Sequence, residues 1–169
     1  MKIFVSPLSR LEETVRLSGA RRLISLFSDG AAPSVPAGFA ENNCLRLAFH
    51  DISAPRDGLT PPSPEHVSRL LDFGRSSDRG APLLVHCYAG ISRSTAAAFV
   101  LACALMPDRD EAAIADELRR LSPSATPNPL VVAHADNLLG RHGRMSRAID
   151  RIGRGAEAFE GEPFVFDIG

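Results

Sequence analysis

The sequence predicts a single α/β domain over residues 1–169, with a central, mostly parallel sheet flanked by helices. Segments of strand-like composition alternate with segments of helical periodicity, which is the order found in α/β folds. One segment, residues 82–87, is a continuous apolar run that ends in His86 and Cys87, a pattern typical of a strand covered on both faces. A length of 169 residues suits one hydrophobic core, and neither a repeat nor a linker divides the chain.

The first half of the chain contains three predicted strands, at residues 2–5, 22–27 and 44–50. Between the first two strands, Ser9 and Glu12 form a capping box, and an apolar stripe follows as far as Gly19. We therefore expect a helix there. Residues 31–38 are rich in proline and glycine and are predicted to form a surface loop.

The second half contains the longest predicted loop and four predicted helices. The loop, residues 51–64, has too many prolines for regular structure, and loops of that length in compact domains are commonly functional. The helices begin near Ser63, Arg93, Asp108 and Asn128 and extend to about residues 77, 106, 121 and 140. The second of them is apolar nearly all round, so we expect it to run through the middle of the fold. A basic stretch, residues 141–154, either docks an acidic partner or is a solvated helix face, and the segment FVFDI follows it.

Charge and cysteine content exclude several classes of protein. The net charge of -1 and the pI near 6.5 give no broad positive surface for nucleic acid. The N-terminus lacks the apolar run of a signal peptide and no stretch reaches membrane-spanning length, so we expect no membrane partner. Three cysteines are an odd number without metal-ligand spacing, which favours a reducing, cytoplasmic compartment and no metal or other cofactor. The oligomeric state stays open.

The residues that carry chemistry lie in the stretch HCYAGISRS, residues 86–94, between the apolar strand and the buried helix. Ligands in α/β sheets bind at the carboxyl ends of strands, and the backbone N–H groups at a helix N-terminus form a site for anions. Gly90 permits a tight turn, and Arg93 supplies a planar fork for two phosphate oxygens. A thiol in such a field ionises readily, so Cys87 is the candidate nucleophile at the base of a phosphate cradle.

This stretch resembles the signature loop of the cysteine-based protein tyrosine phosphatases, which reads His-Cys, five residues, Arg, and then Ser or Thr. The form AGxSRS is most similar to the dual-specificity branch of that family. The resemblance implies a phosphatase-like fold over most of the chain. It also implies a phosphorylated protein or a small phosphomonoester as substrate, with phosphotyrosine preferred.

The resemblance assigns roles residue by residue. Cys87 would form a phosphocysteine, and Ser94 would hydrogen-bond its sulfur and help it leave. The phosphate would be held by the side chain of Arg93 and by the backbone amides of the loop: Tyr88, Ala89, Gly90, Ile91, Ser92 and Arg93. His86 would tune the thiolate from behind the loop, and Asn128, at the end of SPSATPN, would brace the site.

The family carries a general acid upstream of the cysteine, and two aspartates compete for that role. Asp51 lies 36 residues before Cys87, at the end of the strand that finishes in FHD, where some dual-specificity members place the acid. Asp57 lies 30 residues before Cys87, in DGLTPPSP, which resembles the aspartate-glycine-proline loop of other members. A strand end aims a side chain more reliably than the middle of a long loop does, so Asp51 is preferred.

Three other functions are compatible with a cysteine in an amide-lined loop. Rhodanese-like sulfurtransferases use such a loop, but theirs is usually one residue shorter. Arsenate reductases need a second, resolving cysteine, and Cys44 and Cys103 are predicted to be core residues. A phospho-residue binding module would keep the pocket without turnover. Among substrates, phosphoinositides are disfavoured because the loop carries no lysine, while the choice between phosphotyrosine and phosphoserine or phosphothreonine stays open.

Overall fold

A five-stranded sheet forms the centre of the computed structural model, which describes residues 1–169. Its strands are β1 (Lys2–Pro7), β2 (Arg22–Phe27), β3 (Cys44–Ala48), β4 (Leu83–Cys87) and β5 (Phe164–Asp167). The strand order is β3-β2-β4-β1-β5, with the first four strands parallel and β5 antiparallel to β1. The predicted α/β fold with a mostly parallel sheet is thus confirmed.

Six α-helices cover the two faces of the sheet unequally. They are α1 (Leu11–Ser18), α2 (Pro64–Arg75), α3 (Arg93–Leu105), α4 (Glu111–Leu121), α5 (Pro129–Leu138) and α6 (Arg144–Ile152). Helix α1 packs on one face, where Leu11 joins Leu23 and Leu84 in a small apolar cluster. The other five helices form a layer on the opposite face, around the main core. None of the six combines the length and the apolar character needed to cross a lipid bilayer.

Helix α3 is the middle of that thicker layer. It is buried from Arg93 through Cys103, and it packs against β1 and β4 as well as α2, α4 and α5. Small residues make this crowding possible: a Cβ on Gly74 of α2 would overlap the side chain of Leu101. The prediction that this helix runs through the middle of the fold is therefore confirmed. Its N-terminus emerges at the carboxyl edge of the sheet, directly after β4.

Two predicted helix starts are wrong. Ser9 lies in a 3-10 turn, Leu8–Arg10, and its hydroxyl donates to the carboxylate of Glu160 at 2.7 Å instead of capping α1. Helix α4 is capped by the side chain of Asp110 and not by Asp108. In the first case the competing carboxylate comes from the far end of the chain. The residues around Ser9 give no indication of a partner so distant in sequence.

The basic stretch at residues 141–154 forms part of the loop before helix α6, the helix itself and the two residues after it. Two of its side chains, Arg141 and Arg144, each lie 3.2 Å from the carboxylate of Glu111, which is buried at the start of α4. A buried carboxylate needs such partners, because its desolvation is costly unless it is paired. This part of the stretch therefore stabilises the packing of α6 on α4.

Candidate active site

Cys87 is the last residue of β4, and its thiol is buried between the end of that strand and the first turn of α3. The sulfur lies 3.1 Å from the hydroxyl oxygen of Ser94 and accepts the backbone N–H of Gly90 at 3.3 Å. Both groups can donate to a thiolate. The structure thus places the sulfur of Cys87 and the hydroxyl of Ser94 within hydrogen-bond distance of each other.

Gly90 gives the Cys87 loop, residues 87–93, its tight curvature. Its φ of 70° lies in the left-handed region, and a Cβ there would come within 2.8 Å of the backbone nitrogen of Pro7. A residue with a side chain would be strained and would push the loop away from β1. Directly after β1, the backbone N–H of Leu8 donates to the carbonyl of Tyr88 at 3.0 Å. Strand β1 therefore helps to hold the loop in shape.

The side chain of Arg93 is buried, and only one nitrogen of its guanidinium, Nη1, is hydrogen-bonded to the protein. Its Nη1 donates to the carbonyl of Phe49 at 3.0 Å and to the hydroxyl of Ser28 at 3.2 Å. Its Nε is buried and has no hydrogen-bond partner. A buried N–H without a partner costs free energy, so this group is available for an anion that enters the site. The sequence does not single out Ser28 or Phe49 for this role, because they lie 65 and 44 residues away.

A cleft of about 230 Å³ opens over the Cys87 loop. Its walls are mostly apolar, and Arg93 supplies the positive charge within it. The lining residues are Leu8, Leu26, Phe27, Ser28, Ala31, Pro33, His86, Cys87, Tyr88 and Arg93. The apolar walls come from the ends of β1 and β2 and from the loop after β2. A ligand in this cleft would meet an anion site at its floor and a hydrophobic surface around it.

Asp51 lies just after β3, and one of its oxygens is tied to the Cys87 loop. Its Oδ1 accepts a hydrogen bond from the hydroxyl of Ser92 at 2.7 Å and another from the side-chain amide of Asn128 at 2.8 Å. The carboxyl is exposed, and Oδ2 accepts no hydrogen bond from the protein. Asp51 is thus oriented by two donors while one oxygen stays open to a ligand.

Asn128 connects three parts of the site. Its side-chain oxygen caps α5 by accepting the backbone N–H groups of Leu130 and Val131, at 3.0 and 3.1 Å. Its side-chain nitrogen donates to Asp51, and its backbone N–H donates to the carbonyl of Ser92 at 3.3 Å. One buried residue therefore links the start of α5, the Cys87 loop and the candidate acid.

Asp57, the alternative acid, lies elsewhere in the long loop. The loop is closed at its base, where the backbone N–H of His50 donates to the carbonyl of Thr60 at 2.7 Å. Asp57 sits beyond that closure, in an exposed turn, and its carboxylate forms no hydrogen bond or ion pair with the protein. The structure therefore brings Asp51, and not Asp57, into contact with the Cys87 loop.

His86 is buried on the sheet face opposite α3, with Ser6 and Ser25 beside it in the neighbouring strands. Burial lowers the pKa of its imidazole to about 4. The ring is therefore neutral near neutral pH. His86 is also one of the residues that line the cleft.

The two other cysteines lie away from Cys87. Cys44 is the first residue of β3, at the edge of the sheet opposite the one where β4 ends. Cys103 is ten residues along α3 from Arg93, or about 15 Å at the rise of an α-helix. Burial raises the pKa of both thiols. Neither is placed to resolve a covalent intermediate at Cys87, which argues against an arsenate-reductase mechanism.

A segment that the sequence does not connect with the site also reaches the Cys87 loop. This C-terminal strap, residues 153–163, runs from α6 to β5, and its Gly161 N–H donates to the carbonyl of Ala89 at 2.8 Å. A Cβ on Gly161 would lie 2.8 Å from the carbonyl oxygen of Gly90. The glycine content of the strap indicates a loop, but no sequence pattern indicates what the loop touches.

Comparisons with known proteins define the class of fold. No family model matches the chain, and no curated protein matches it in sequence. Solved structures do match. The crystal structure of DUSP15 is 16% identical with a TM-score of 0.62, over 88% of this chain and 90% of the other. The structure of human DUSP28 is 19% identical with a TM-score of 0.60, over 89% and 95% of the two chains.

A third solved structure also matches the fold. The human tyrosine phosphatase-like serine/threonine/tyrosine-interacting protein is 20% identical with a TM-score of 0.62, over 83% of this chain and 92% of its own. At these identities the likeness concerns the fold. The chain therefore has the fold of the dual-specificity phosphatase structures, as its signature loop predicts.

Proposed function

We propose that the protein is a phosphatase that hydrolyses phosphomonoesters, phosphotyrosine in proteins foremost, through a phosphocysteine intermediate. One observation carries this proposal. The sulfur of Cys87 lies at the floor of a cleft, within 3.1 Å of the Ser94 hydroxyl and 3.3 Å of the Gly90 N–H, at the N-terminus of α3. The guanidinium of Arg93 shares that cleft. A nucleophile and an anion site therefore coincide.

Phosphate binding comes first. The N–H groups of the Cys87 loop precede a buried helix, whose positive dipole end favours an anion. Arg93 is held by Phe49 and Ser28 through Nη1, which leaves its buried Nε for a phosphate oxygen. The sulfur then attacks phosphorus: an S–P bond forms while the bond from phosphorus to the ester oxygen breaks.

The ester oxygen needs a proton as it leaves, and Asp51 is proposed to supply it. Because Oδ1 already accepts hydrogen bonds from Ser92 and Asn128, the proton for the leaving group resides on Oδ2. In the second step the same carboxylate takes a proton from water, whose oxygen attacks phosphorus. The S–P bond then breaks, and the Ser94 hydroxyl stabilises the departing thiolate.

The walls of the cleft support phosphotyrosine as substrate. Six of its ten lining residues are hydrophobic, and Arg93 is its one cationic side chain. An aromatic ring would bury apolar surface against these walls. A phosphoinositide headgroup carries several further charges, and each would need a cation that the lining does not supply.

An activity assay with a matched pair of variants tests the proposal. The substrates are phosphotyrosine and phosphothreonine peptides, para-nitrophenyl phosphate and a soluble phosphoinositide. Cys87→Ser should reduce turnover at least about a thousandfold, because it removes the nucleophile. Cys44→Ser makes the same chemical change at a cysteine outside the cleft and should retain activity.

Three other outcomes would each contradict a specific part of the proposal. Near wild-type turnover in Cys87→Ser would overturn the phosphocysteine mechanism. A wild-type preference for the phosphoinositide would overturn the substrate class. A wild-type chain that binds the phosphotyrosine peptide but hydrolyses none of the substrates would be a phospho-residue binding protein.

A further inference from the structure

A second groove, of about 250 Å³, adjoins the cleft that holds Cys87. The two share a wall formed by Leu8 and Tyr88. The rest of the groove is lined by Ser9, Ala89, Phe159 and Glu160, the last two belonging to the C-terminal strap. A chain bound with one residue in the cleft would therefore have this groove directly beside it.

Two exposed aromatic side chains border the groove. Phe159 is 88% exposed and Tyr88 is 66% exposed, although most large apolar side chains of the protein are buried. Exposed aromatic residues at the rim of a groove are typical of binding surfaces, because they gain most from being covered. Neither ring takes part in the core, so packing does not explain their position.

The strap holds Phe159 in place. On one side of it, the backbone N–H of Ala156 donates to the carbonyl of Pro123 at 2.9 Å. On the other side, Glu160 accepts a hydrogen bond from the hydroxyl of Ser9, and the Gly161 N–H donates to the Cys87 loop. The aromatic ring is therefore presented from a segment anchored at both ends, which lowers the entropic cost of binding.

The strap also makes this rim acidic. It carries three glutamates, Glu157, Glu160 and Glu162, against one arginine, Arg154. Arg10 lies 3.2 Å from Glu162, but neither Glu157 nor Glu160 forms an ion pair. The charge next to the groove thus complements a basic residue and repels an anionic lipid surface.

We infer that this groove docks the polypeptide segment that flanks the phosphorylated residue of a protein substrate. An apolar side chain of that segment packs against Tyr88 and Phe159, and a basic side chain lies beside Glu160. This inference rests on the proposed function for the identity of the residue in the cleft. The groove then makes the protein selective for phosphotyrosine within an apolar and basic sequence.

Peptide binding to the full chain carrying Cys87→Ser tests the inference without turnover. The probe is a fluorescent phosphotyrosine peptide with leucine and arginine on both sides of the phosphotyrosine, followed by fluorescence anisotropy. Adding Phe159→Ala should weaken binding about tenfold, because an apolar contact is lost. Leu17→Ala truncates another exposed apolar residue, 77% exposed on α1, and should leave the affinity unchanged.

A second arm tests the charge. Glu160→Gln removes the negative charge but keeps an oxygen that can accept from Ser9. It should weaken binding of the arginine-containing peptide about threefold and leave unchanged the affinity for a peptide with serine in place of arginine. Equal effects on both peptides would overturn the role of the charge.

The outcomes separate this inference from the proposed function. If Phe159→Ala leaves the peptide affinity unchanged, the inference of a docking surface is wrong, whatever the catalytic activity. A Phe159-dependent affinity in a protein without phosphatase activity supports docking and overturns the catalytic proposal alone. If Phe159→Ala instead reduces sedimentation with vesicles of phosphatidylcholine and phosphoinositide, or self-association, with peptide affinity unchanged, the occupant is a membrane or a second copy and the inference fails.

Discussion

The carboxylate oxygen Oδ1 of Asp51 lies 2.7 Å from the hydroxyl of Ser92, a residue of the Cys87 loop. This contact joins the segment after β3 to the loop that surrounds the candidate nucleophile. Asn128 donates to the same oxygen at 2.8 Å and fixes the carboxyl from a second direction. The two hydrogen bonds leave Oδ2 as the oxygen of Asp51 that has no partner in the protein. Of the two candidate acids, Asp51 is the one that contacts the Cys87 loop.

Replacing Asp51 by Asn should slow hydrolysis in a way that depends on the leaving group. An amide cannot supply the proton, so aryl phosphates with poor leaving groups should lose roughly 10²- to 10⁴-fold in kcat/KM, which reports the first step and not the hydrolysis of the intermediate. Those with good leaving groups depart without a proton, so their kcat/KM should change little. The fall in rate at high pH, where a general acid loses its proton, should also flatten. Steady-state kinetics over a series of aryl phosphates measures both effects.

Asp57→Asn is the matched control for this experiment. It makes the same chemical change in an exposed turn of the same loop, and it should show neither effect. If the dependence on the leaving group appears in Asp57→Asn and not in Asp51→Asn, the acid is assigned to the wrong residue. If both variants behave as wild type, no aspartate of this loop acts as the acid.

The three thiols should differ sharply in reactivity towards iodoacetate. Cys87 borders the cleft, beside Arg93 and the N-terminus of α3, which are the features that stabilise thiolates in proteins. Burial raises the pKa of Cys44 and Cys103, so these thiols should stay protonated and silent. Peptide mapping after labelling at about pH 6 should find carboxymethylation at Cys87 alone. Vanadate should protect this site, and equal labelling of all three cysteines would contradict the assigned environment of Cys87.

His86 should make the protein less stable as the pH falls from about 6.5 to about 4. Its imidazole has a pKa of about 4 in the folded chain because it is buried, against about 6.5 when unfolded. In that interval the unfolded chain binds more protons than the folded chain. The free energy of unfolding therefore rises with pH, and the contribution of His86 is lost on acidification. The loss is on the order of 3 kcal/mol. Urea unfolding at a series of pH values measures it.

The variant His86→Asn should show a smaller slope of stability against pH than the wild type. His142→Asn is the control, since His142 is exposed and its removal should leave the slope unchanged. Burial also lowers the pKa of His66, so part of the slope will remain in His86→Asn. An unchanged slope in His86→Asn would show that the pKa of His86 is the same in the folded and the unfolded chain, and would contradict this prediction.

Local patterns predict most of this fold, because the strands and the buried helix are encoded by runs of neighbouring residues. The pattern around Cys87 also predicts its neighbours Gly90, Arg93 and Ser94, since all lie in the short stretch from the end of β4 to the first turn of α3. Contacts between distant segments escaped prediction. The hydroxyl of Ser9 binds Glu160, 151 residues away, and the capping-box pattern with Glu12 gives no sign of that competition.

The start of helix α6 also depends on a contact that local sequence does not predict. Its first turn is capped by Asp136 of α5, which accepts the backbone N–H groups of Met145 and Ser146 at 2.7 and 3.0 Å. A cap supplied by another helix leaves no signature before the helix it stabilises. The sequence shows the basic composition of residues 141–154, but the pairing of Arg141 and Arg144 with the buried Glu111 depends on how α4 and α6 pack.

The covalent intermediate is the central claim, and Ser94→Ala tests it most directly. The Ser94 hydroxyl lies 3.1 Å from the sulfur of Cys87 and is proposed to stabilise the thiolate that leaves in the second step. Without this hydroxyl, breakdown of the intermediate should slow more than its formation. Acid quenching of Ser94→Ala during turnover of para-nitrophenyl phosphate, followed by peptide mass spectrometry, should reveal one phosphoryl group on Cys87. Active protein that never carries phosphate on Cys87, or carries it on another residue, would contradict the account.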